Sequence, residues 1–96
     1  MIIHAIDPGT TKSALVMLYD DGGVSAKIDA NAEILASVWC KAALTEVEQS
    51  VLVIEQIASY GMSVGAEIFE TVFWSGRFAE AWERRSGSVA HRMTRV

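Results

Sequence analysis

The sequence has 96 residues, of which 51% are hydrophobic and 21% are charged. A chain of this length forms one small domain, residues 1–96, and its apolar content excludes a disordered protein. Eight basic and twelve acidic residues give a net charge of −4, which excludes a protein that coats nucleic acid by bulk charge.

The N-terminal third is predicted to form three antiparallel strands. Residues 1–6 are apolar and β-branched, and Asp-Pro-Gly at 7–9 ends this strand. The second strand covers residues 13–19, and the Asp-Asp-Gly-Gly turn that follows it leads into the third strand at 24–28. We therefore expect a meander whose first turn begins at Asp7.

A helical periodicity of apolar residues predicts a first helix within residues 30–48. Asp29 or Asn31 is a plausible N-cap for it. The single cysteine, Cys40, lies next to Trp39 on the apolar side of this helix, where we expect it to be a small buried residue.

The second half of the chain predicts one strand, one long helix and a last strand. The continuous apolar run 51–54 is typical of a strand covered on both faces. The spacing of Val72 and Trp82 predicts an amphipathic helix over 64–85 with both on its apolar side, and a final strand begins near Ser88. The predicted fold is α/β, with a mixed sheet and the order β-β-β-α-β-α-β.

Cysteine usage and the N-terminus bear on the compartment. A lone cysteine cannot form an internal disulfide, and Asp7 and Pro8 interrupt the first apolar run before it reaches the length of a signal peptide. Every other apolar run is far below the roughly 18 residues of a membrane span. We therefore expect a cytoplasmic protein with no membrane partner.

Two carboxylates stand where predicted strands end. Asp7 follows the first strand, and Glu55 follows the apolar run 51–54. Because the ends of neighbouring strands meet at one edge of an α/β sheet, these two side chains are expected to converge. Such a pair binds Mg²⁺ through oxygen, and two such cations about 4 Å apart activate water in phosphodiester cleavage. Taken alone, each acid is better explained as a turn residue or a helix cap, since Asp before Pro-Gly is common in plain turns.

The string Asp-Pro-Gly-Thr-Thr at 7–11 offers a second chemistry. A glycine and hydroxyls between two strands could cradle a nucleotide phosphate, and the string resembles the first phosphate loop of actin-like ATPases and sugar kinases. Those proteins clasp the nucleotide between two large domains, whereas this chain has room for part of one. An actin-like phosphate-binding domain is therefore an alternative function.

Several segments together resemble one family. Ile-Asp-Pro-Gly at 6–9, Val-Ile-Glu-Gln at 53–56 and the stretch from Tyr-Gly-Met-Ser at 60–63 to Gly-Arg-Phe at 76–78 resemble the RuvC-like Holliday junction resolvases, above all their phage-encoded branch, in the RNase H-like superfamily. The resemblance covers essentially the whole chain. It implies an RNase H-like fold and a nuclease that uses Mg²⁺ or Mn²⁺ to cut branched DNA as a homodimer. It also assigns metal binding and catalysis to Asp7 and Glu55.

The sequence departs from that family after its last predicted strand. Family members continue past the strand that begins near Ser88 into a segment with a catalytic lysine and further acidic metal ligands, whereas this sequence ends at Val96. We therefore expect a truncated RuvC-type domain with weak metal binding and little or no cleavage of its own. A catalytically silent fragment that binds DNA or dimerises is the alternative.

Four residues outside the acidic pair are candidate DNA contacts. Lys12 follows the first acid and could touch a phosphate, and Tyr60 could stack on an unpaired base. The alternatives are an ordinary exposed lysine and a tyrosine that packs on the edge of the sheet. Arg92 and Arg95 belong to the segment 84–96, which carries four arginines and no acid. A solvated helix end and a charged strand edge explain the same segment equally well.

The second predicted helix also carries a candidate dimer interface. Phe69, Phe73 and Gly76 lie off the side that packs on the sheet and offer more apolar surface than one small sheet can cover. In the family that the chain resembles, this helix joins the dimer. We therefore expect a homodimer through the 64–85 helix, with packing inside a single chain as the alternative.

Overall fold

The computed structural model describes residues 1–56 and 65–94, which form five strands and two helices. The elements in chain order are β1 (Ile2–Asp7), β2 (Lys12–Leu18), β3 (Val24–Ala30), α1 (Asn31–Ala42), β4 (Ser50–Gln56), α2 (Ala66–Ser86) and β5 (His91–Thr94). The predicted order β-β-β-α-β-α-β is therefore confirmed.

The strands form one mixed sheet in the spatial order β3-β2-β1-β4-β5. The meander is confirmed, because β2 is antiparallel to both β1 and β3. Strand β4 pairs in parallel with β1 after a crossover through α1. Strand β5 pairs in parallel with β4 after a crossover through α2. Gly22 has a φ of 87° in the turn between β2 and β3, a conformation that favours glycine.

The two faces of the sheet differ in burial. One face packs against both helices, and its buried residues are His4, Ile6, Ser13, Leu15, Leu52 and Ile54. The other face, here called the open face, carries the alternate residues of each strand, and no helix among residues 1–56 and 65–94 covers it. The expectation that strand 51–54 is fully covered on both faces is wrong on this side, because Val51 and Val53 are only partly buried.

The core lies between the sheet and the helices. Helix α1 contributes Ile34 and Val38, and α2 contributes Phe78 and Trp82, all of them fully buried. These residues recur at helical spacing, so each helix buries one stripe against the sheet and against its neighbour. This core holds the sheet in position, and the candidate site lies where β1 and β4 end.

Helix α2 is rotated relative to the prediction. Val72 is 55% exposed, although its spacing placed it on the apolar side with Trp82. The buried stripe instead passes through Thr71 and Ser75, whose hydroxyls donate to the carbonyl oxygens of Glu67 (3.0 Å) and Thr71 (2.9 Å). Small polar residues can occupy a buried stripe because the helix backbone accepts their hydrogen bonds.

Helix α1 is shorter than predicted and begins differently. It ends at Ala42, after which the backbone forms tight turns, with the amide of Leu44 donating to the carbonyl of Lys41 at 3.0 Å. Its N-cap is Ala30, without a side-chain cap, so neither Asp29 nor Asn31 caps it as predicted. Cys40 is exposed rather than buried.

Within the described parts of the chain, neither helix has the length and hydropathy that crossing a membrane requires.

Candidate functional site

The structure places Asp7 and Glu55 side by side. In the parallel pairing of β1 with β4, Ile6 lies opposite Ile54, and the two acids are the next residues of their strands. Neighbouring strands are about 4.8 Å apart and alternate residues share a face, so both carboxylates stand on the open face at one edge of the sheet. Together with Val16 and Met93, they line a concavity of about 260 Å³.

A buried polar network holds the turn that follows Asp7. The amide of Gly9 donates to Ser13 Oγ at 3.1 Å, and the hydroxyl of Ser13 donates to Asn31 Oδ1 at 2.5 Å. The side-chain amide of Asn31 donates back to the carbonyl of Gly9 at 3.0 Å, while its backbone amide donates to the carbonyl of Thr11 at 2.9 Å. The start of α1 is thereby tied to the loop that carries the first acid.

Gly9 is required by the tightness of that loop. A Cβ atom added to Gly9 would lie 2.2 Å from the carbonyl oxygen of Lys12, which is far inside van der Waals contact. The chain therefore turns back on itself directly after Asp7. Any larger residue at position 9 would displace the backbone that positions this carboxylate.

The predicted DNA contacts do not all gather at this edge. Lys12 is exposed and lies two residues from Ala14, which pairs with Asp7, so it shares the open face with the two acids. Arg92, on β5, pairs with Ile54 of β4. It therefore lies on the helix-facing side of the sheet, opposite the two acids. Tyr60 and Arg95 lie outside the described residues.

The predicted dimer residues lie on the exposed side of α2. Phe69 and Phe73 are 65% and 56% exposed, one helical turn apart. Gly76 follows after a further turn, and a Cβ atom added to it would meet no heavy atom within 4 Å. These three positions form an uncovered stripe on the described part of the helix.

The acidic edge has the donor chemistry of a magnesium site with few protein ligands. Carboxylate oxygens are the ligands that Mg²⁺ prefers, and sites with one or two carboxylates complete the shell with water and substrate phosphate. Among residues 1–56 and 65–94, no group of three or more His, Cys, Asp or Glu side chains is placed to hold a metal. The acids Asp7 and Glu55 therefore fit a cation that also requires ligands from elsewhere.

Sequence reasoning missed two polar residues. Asn31 reads as a helix cap, because asparagine is common before helices, yet its side chain instead braces the loop after Asp7. His4 sits in an apolar strand and is buried against Trp82, with ring centroids 5.5 Å apart. Burial, with a smaller contribution from the ammonium group of Lys41, lowers the pKa of His4 to about 4. No spacing in the sequence separates such a buried histidine from an exposed one.

Solved structures with the same arrangement identify the fold. RuvC of Thermus thermophilus in complex with a Holliday junction substrate matches with a TM-score of 0.62 and 15% identity, over 98% of this chain and 63% of that one. The chain has an RNase H-like fold. A second structure of Thermus thermophilus RuvC matches with a TM-score of 0.59 and 16% identity, over 98% of this chain and 64% of that one. The chain thus spans less than two thirds of these RuvC chains.

A weaker likeness concerns the Ppx/GppA enzyme of Aquifex aeolicus, with a TM-score of 0.46 and 16% identity over 98% of this chain and 36% of that one. A score at this level carries no functional argument. No protein-family model and no curated protein sequence matches the chain.

Proposed function

We propose that the protein is the RuvC-type part of a metal-dependent endonuclease that acts on branched DNA. The observation that carries this proposal is the placement of Asp7 and Glu55 in adjacent positions of two parallel strands. The sheet that holds them has the fold of RuvC, one structure of which was determined with a Holliday junction substrate. Two adjacent carboxylates on this fold are suited to hold a cation at a phosphodiester.

Asp7 and Glu55 would hold Mg²⁺ or Mn²⁺ through their carboxylate oxygens. Such a cation, when bound, would supply Lewis-acid chemistry for phosphodiester hydrolysis, in which water adds to phosphorus and one ester oxygen leaves as a hydroxyl group. Because this pair supplies few ligands, we expect weak cation binding without DNA and little or no cleavage by the chain alone. The brace through Asn31 would keep Asp7 in place while DNA enters.

Recognition of branched DNA would depend on phosphate contacts and shape. Lys12 shares the open face with the acids, which supports a role in contacting a phosphate near the cation. Arg92 lies across the sheet and would reach a different part of the DNA. Tyr60 and Arg95 stay predictions from the sequence.

A homodimer through α2 is part of the proposal. Phe69 and Phe73 stand one turn apart and are more than half exposed, which is unusual for two phenylalanines on one small domain. Phe69→Glu and Phe73→Glu should each convert a dimer to a monomer in sedimentation velocity. Val47→Glu, which changes an exposed valine outside the helix, is the control and should leave the dimer intact. A chain that is monomeric at all concentrations would contradict the interface.

The nuclease proposal is tested with a labelled four-way junction in Mg²⁺ and in Mn²⁺. Any cleavage should disappear in Asp7→Asn and in Glu55→Gln and persist in Asp29→Asn, which neutralises an exposed acid on β3. Calorimetric titration with Mn²⁺ in the presence of the junction measures the cation site directly. Equal Mn²⁺ affinity in the wild type and in both site variants would overturn the assignment of the acids.

A silent DNA-binding module is the second candidate function. The observation in its favour is that, in the part of the chain that the structure describes, the acidic edge holds two carboxylates and no group of three. Gel-shift binding of the junction in EDTA, without cleavage in Mg²⁺ or Mn²⁺, would favour the module over the enzyme.

The actin-like alternative is less well supported. A phosphate loop uses backbone amides that point at the ligand, whereas the amide of Gly9 already donates to Ser13 Oγ. Thermal stabilisation by millimolar ATP would revive this alternative, and its absence would remove it.

A further inference from the structure

The outer surface of the two helices carries a groove that the proposed nuclease site does not use. Helix α1 contributes small and apolar side chains and Trp39, and α2 contributes Arg77, Glu80 and Arg84, around a volume of about 470 Å³. The inner sides of both helices pack on the sheet. The groove and the carboxylates of Asp7 and Glu55 are therefore on opposite sides of the domain.

The groove is basic in a protein whose net charge is −4. Among the lining residues, the two cations Arg77 and Arg84 stand against one acid, Glu80, which lies 3.4 Å from Arg84 in an exposed pair; Arg85 lies next to the groove rather than in its lining. Within residues 1–56 and 65–94, Arg77 and Arg85 make no ion pair with a carboxylate. Their charge is thus available to an anionic ligand.

Aromatic rings hold these guanidinium groups in place. Arg77 lies over the ring of Trp74, with its Cζ 4.5 Å from the ring centroid, and Arg85 lies 5.5 Å from the centroid of Trp39. A guanidinium group stacked on a ring keeps its N–H edge for hydrogen bonds, and phosphate oxygens match that edge. Less side-chain entropy is lost when a phosphate binds a group that is already ordered.

Trp39 provides a surface for a base. Its side chain is 45% exposed on the groove wall, whereas Trp82 is buried in the core. Exposed aromatic rings beside a positively charged groove are the arrangement by which proteins bind single-stranded nucleic acid, the rings stacking on bases and the cations following the backbone. An acidic amphipathic helix would also match the charge, and the competition experiment below separates that ligand from nucleic acid.

We propose that the groove between α1 and α2 binds an unpaired nucleic-acid strand, with Arg77, Arg84 and Arg85 on its phosphates and Trp39 stacked on a base. This binding needs no metal and does not depend on the proposed cation site. The wall of the groove at Arg77 borders the proposed dimer stripe, because Arg77 Cζ lies 5.6 Å from the centroid of the Phe73 ring. A branched substrate held at the acidic edge would thereby have a single-stranded segment anchored on the far side of the domain.

The test measures binding of fluorescein-labelled oligothymidylate of about 12 nucleotides by fluorescence anisotropy in EDTA, a length within the usual range of single-strand sites. Arg77→Gln and Arg84→Gln should each weaken binding and reduce the slope of log affinity against log salt by about 0.7, the value for one lost phosphate contact on a single strand. Trp39→Ala should weaken binding about tenfold, the order of magnitude expected for one lost base stack. Lys27→Gln is the matched control, because Lys27 is a cation on β3, outside the groove, and its loss should leave the affinity unchanged.

All of these side chains are exposed, so circular dichroism should show the variants folded as the wild type. The proposal is overturned if the wild type does not bind at low salt, if the groove variants bind as the wild type does, or if Lys27→Gln weakens binding as much as they do. It is also overturned if polyglutamate displaces the oligonucleotide at equal charge concentration, since the groove would then bind polyanions with no preference for nucleic acid.

Discussion

The hydroxyl of Ser13 donates a hydrogen bond of 2.5 Å to Oδ1 of Asn31, and both side chains are buried at 2% exposure. Ser13 lies near the start of β2, and Asn31, 18 positions later, is the first residue of α1. Through Gly9, which bonds to both, the pair clamps the turn that follows Asp7. The position of the first acid therefore depends on a helix that carries no predicted site residue.

Asn31→Ala should lower the free energy of unfolding by about 1–3 kcal/mol, because the Ser13 hydroxyl and the Gly9 carbonyl lose their buried partner. Urea denaturation measures this change. Thr11→Ala, which alters an exposed side chain in the same turn, is the control and should change stability by less than about 0.5 kcal/mol. Equal stability of Asn31→Ala and Thr11→Ala would show that the clamp contributes nothing.

Two glycine substitutions should act in opposite directions. Gly9→Ala should destabilise the fold by about 1–3 kcal/mol, since the added Cβ would lie 2.2 Å from the carbonyl oxygen of Lys12 and the turn must distort. Gly76→Ala adds a Cβ to an open position within α2 and should stabilise the monomer by about 0.5–1 kcal/mol. Thermal unfolding of the two variants in parallel checks both signs.

The buried His4 should make the fold sensitive to acid. Its pKa is about 4 in the folded protein against 6.5 for the free side chain, so the unfolded chain takes up the proton first as the pH falls. The contribution to stability is therefore complete above pH 6.5, decreases between pH 6.5 and 4, and amounts to a loss of about 3 kcal/mol at pH 4.

Stability measured by urea denaturation at pH 7 and pH 4 tests this dependence. His4→Leu should lose about 3 kcal/mol less than the wild type between these values. The exposed His91 supplies the control, and His91→Asn should keep the acid loss of the wild type. An unchanged pH dependence in His4→Leu would rule out the role of His4.

The rotation of α2 predicts a contrast between two of its apolar residues. Phe78→Ala should cost about 3–5 kcal/mol, because the ring is fully buried in the core. Val72→Ala should cost less than about 1 kcal/mol, because Val72 is more than half exposed. A large loss of stability in Val72→Ala would show that Val72 is buried, as its spacing predicted.

Much of the fold could be predicted from local patterns. Alternation and turn residues located the three strands of the meander, since Asp-Pro-Gly and Gly22 act within a few residues of the chain. The phase of α2 could not be predicted in this way. Thr71 and Ser75 are polar, so a hydrophobic pattern does not place them on the buried side. Their burial is possible because the helix backbone accepts their hydrogen bonds.

The candidate site was likewise predictable from the sequence only in part. That Asp7 and Glu55 end neighbouring strands follows from the apolar runs before them, and the register places them side by side. The brace through Asn31 depends on where α1 lands on the sheet, and the side of the sheet that Arg92 occupies depends on the register of β5. Both are tertiary relationships, for which the linear pattern holds no signal.

The pairing of β1 with β4 joins Ile6 to Ile54, 48 positions later in the chain, whereas the β1–β2–β3 meander needs only local turns. Contacts between distant segments form slowly, because the entropy of closing a long loop is lost before the contacts stabilise the chain. The two carboxylates are therefore neighbours only where the loop that contains α1 has closed. A divalent cation held by both acids, as proposed, would bind the folded chain and not the unfolded one, and would therefore stabilise the fold by mass action.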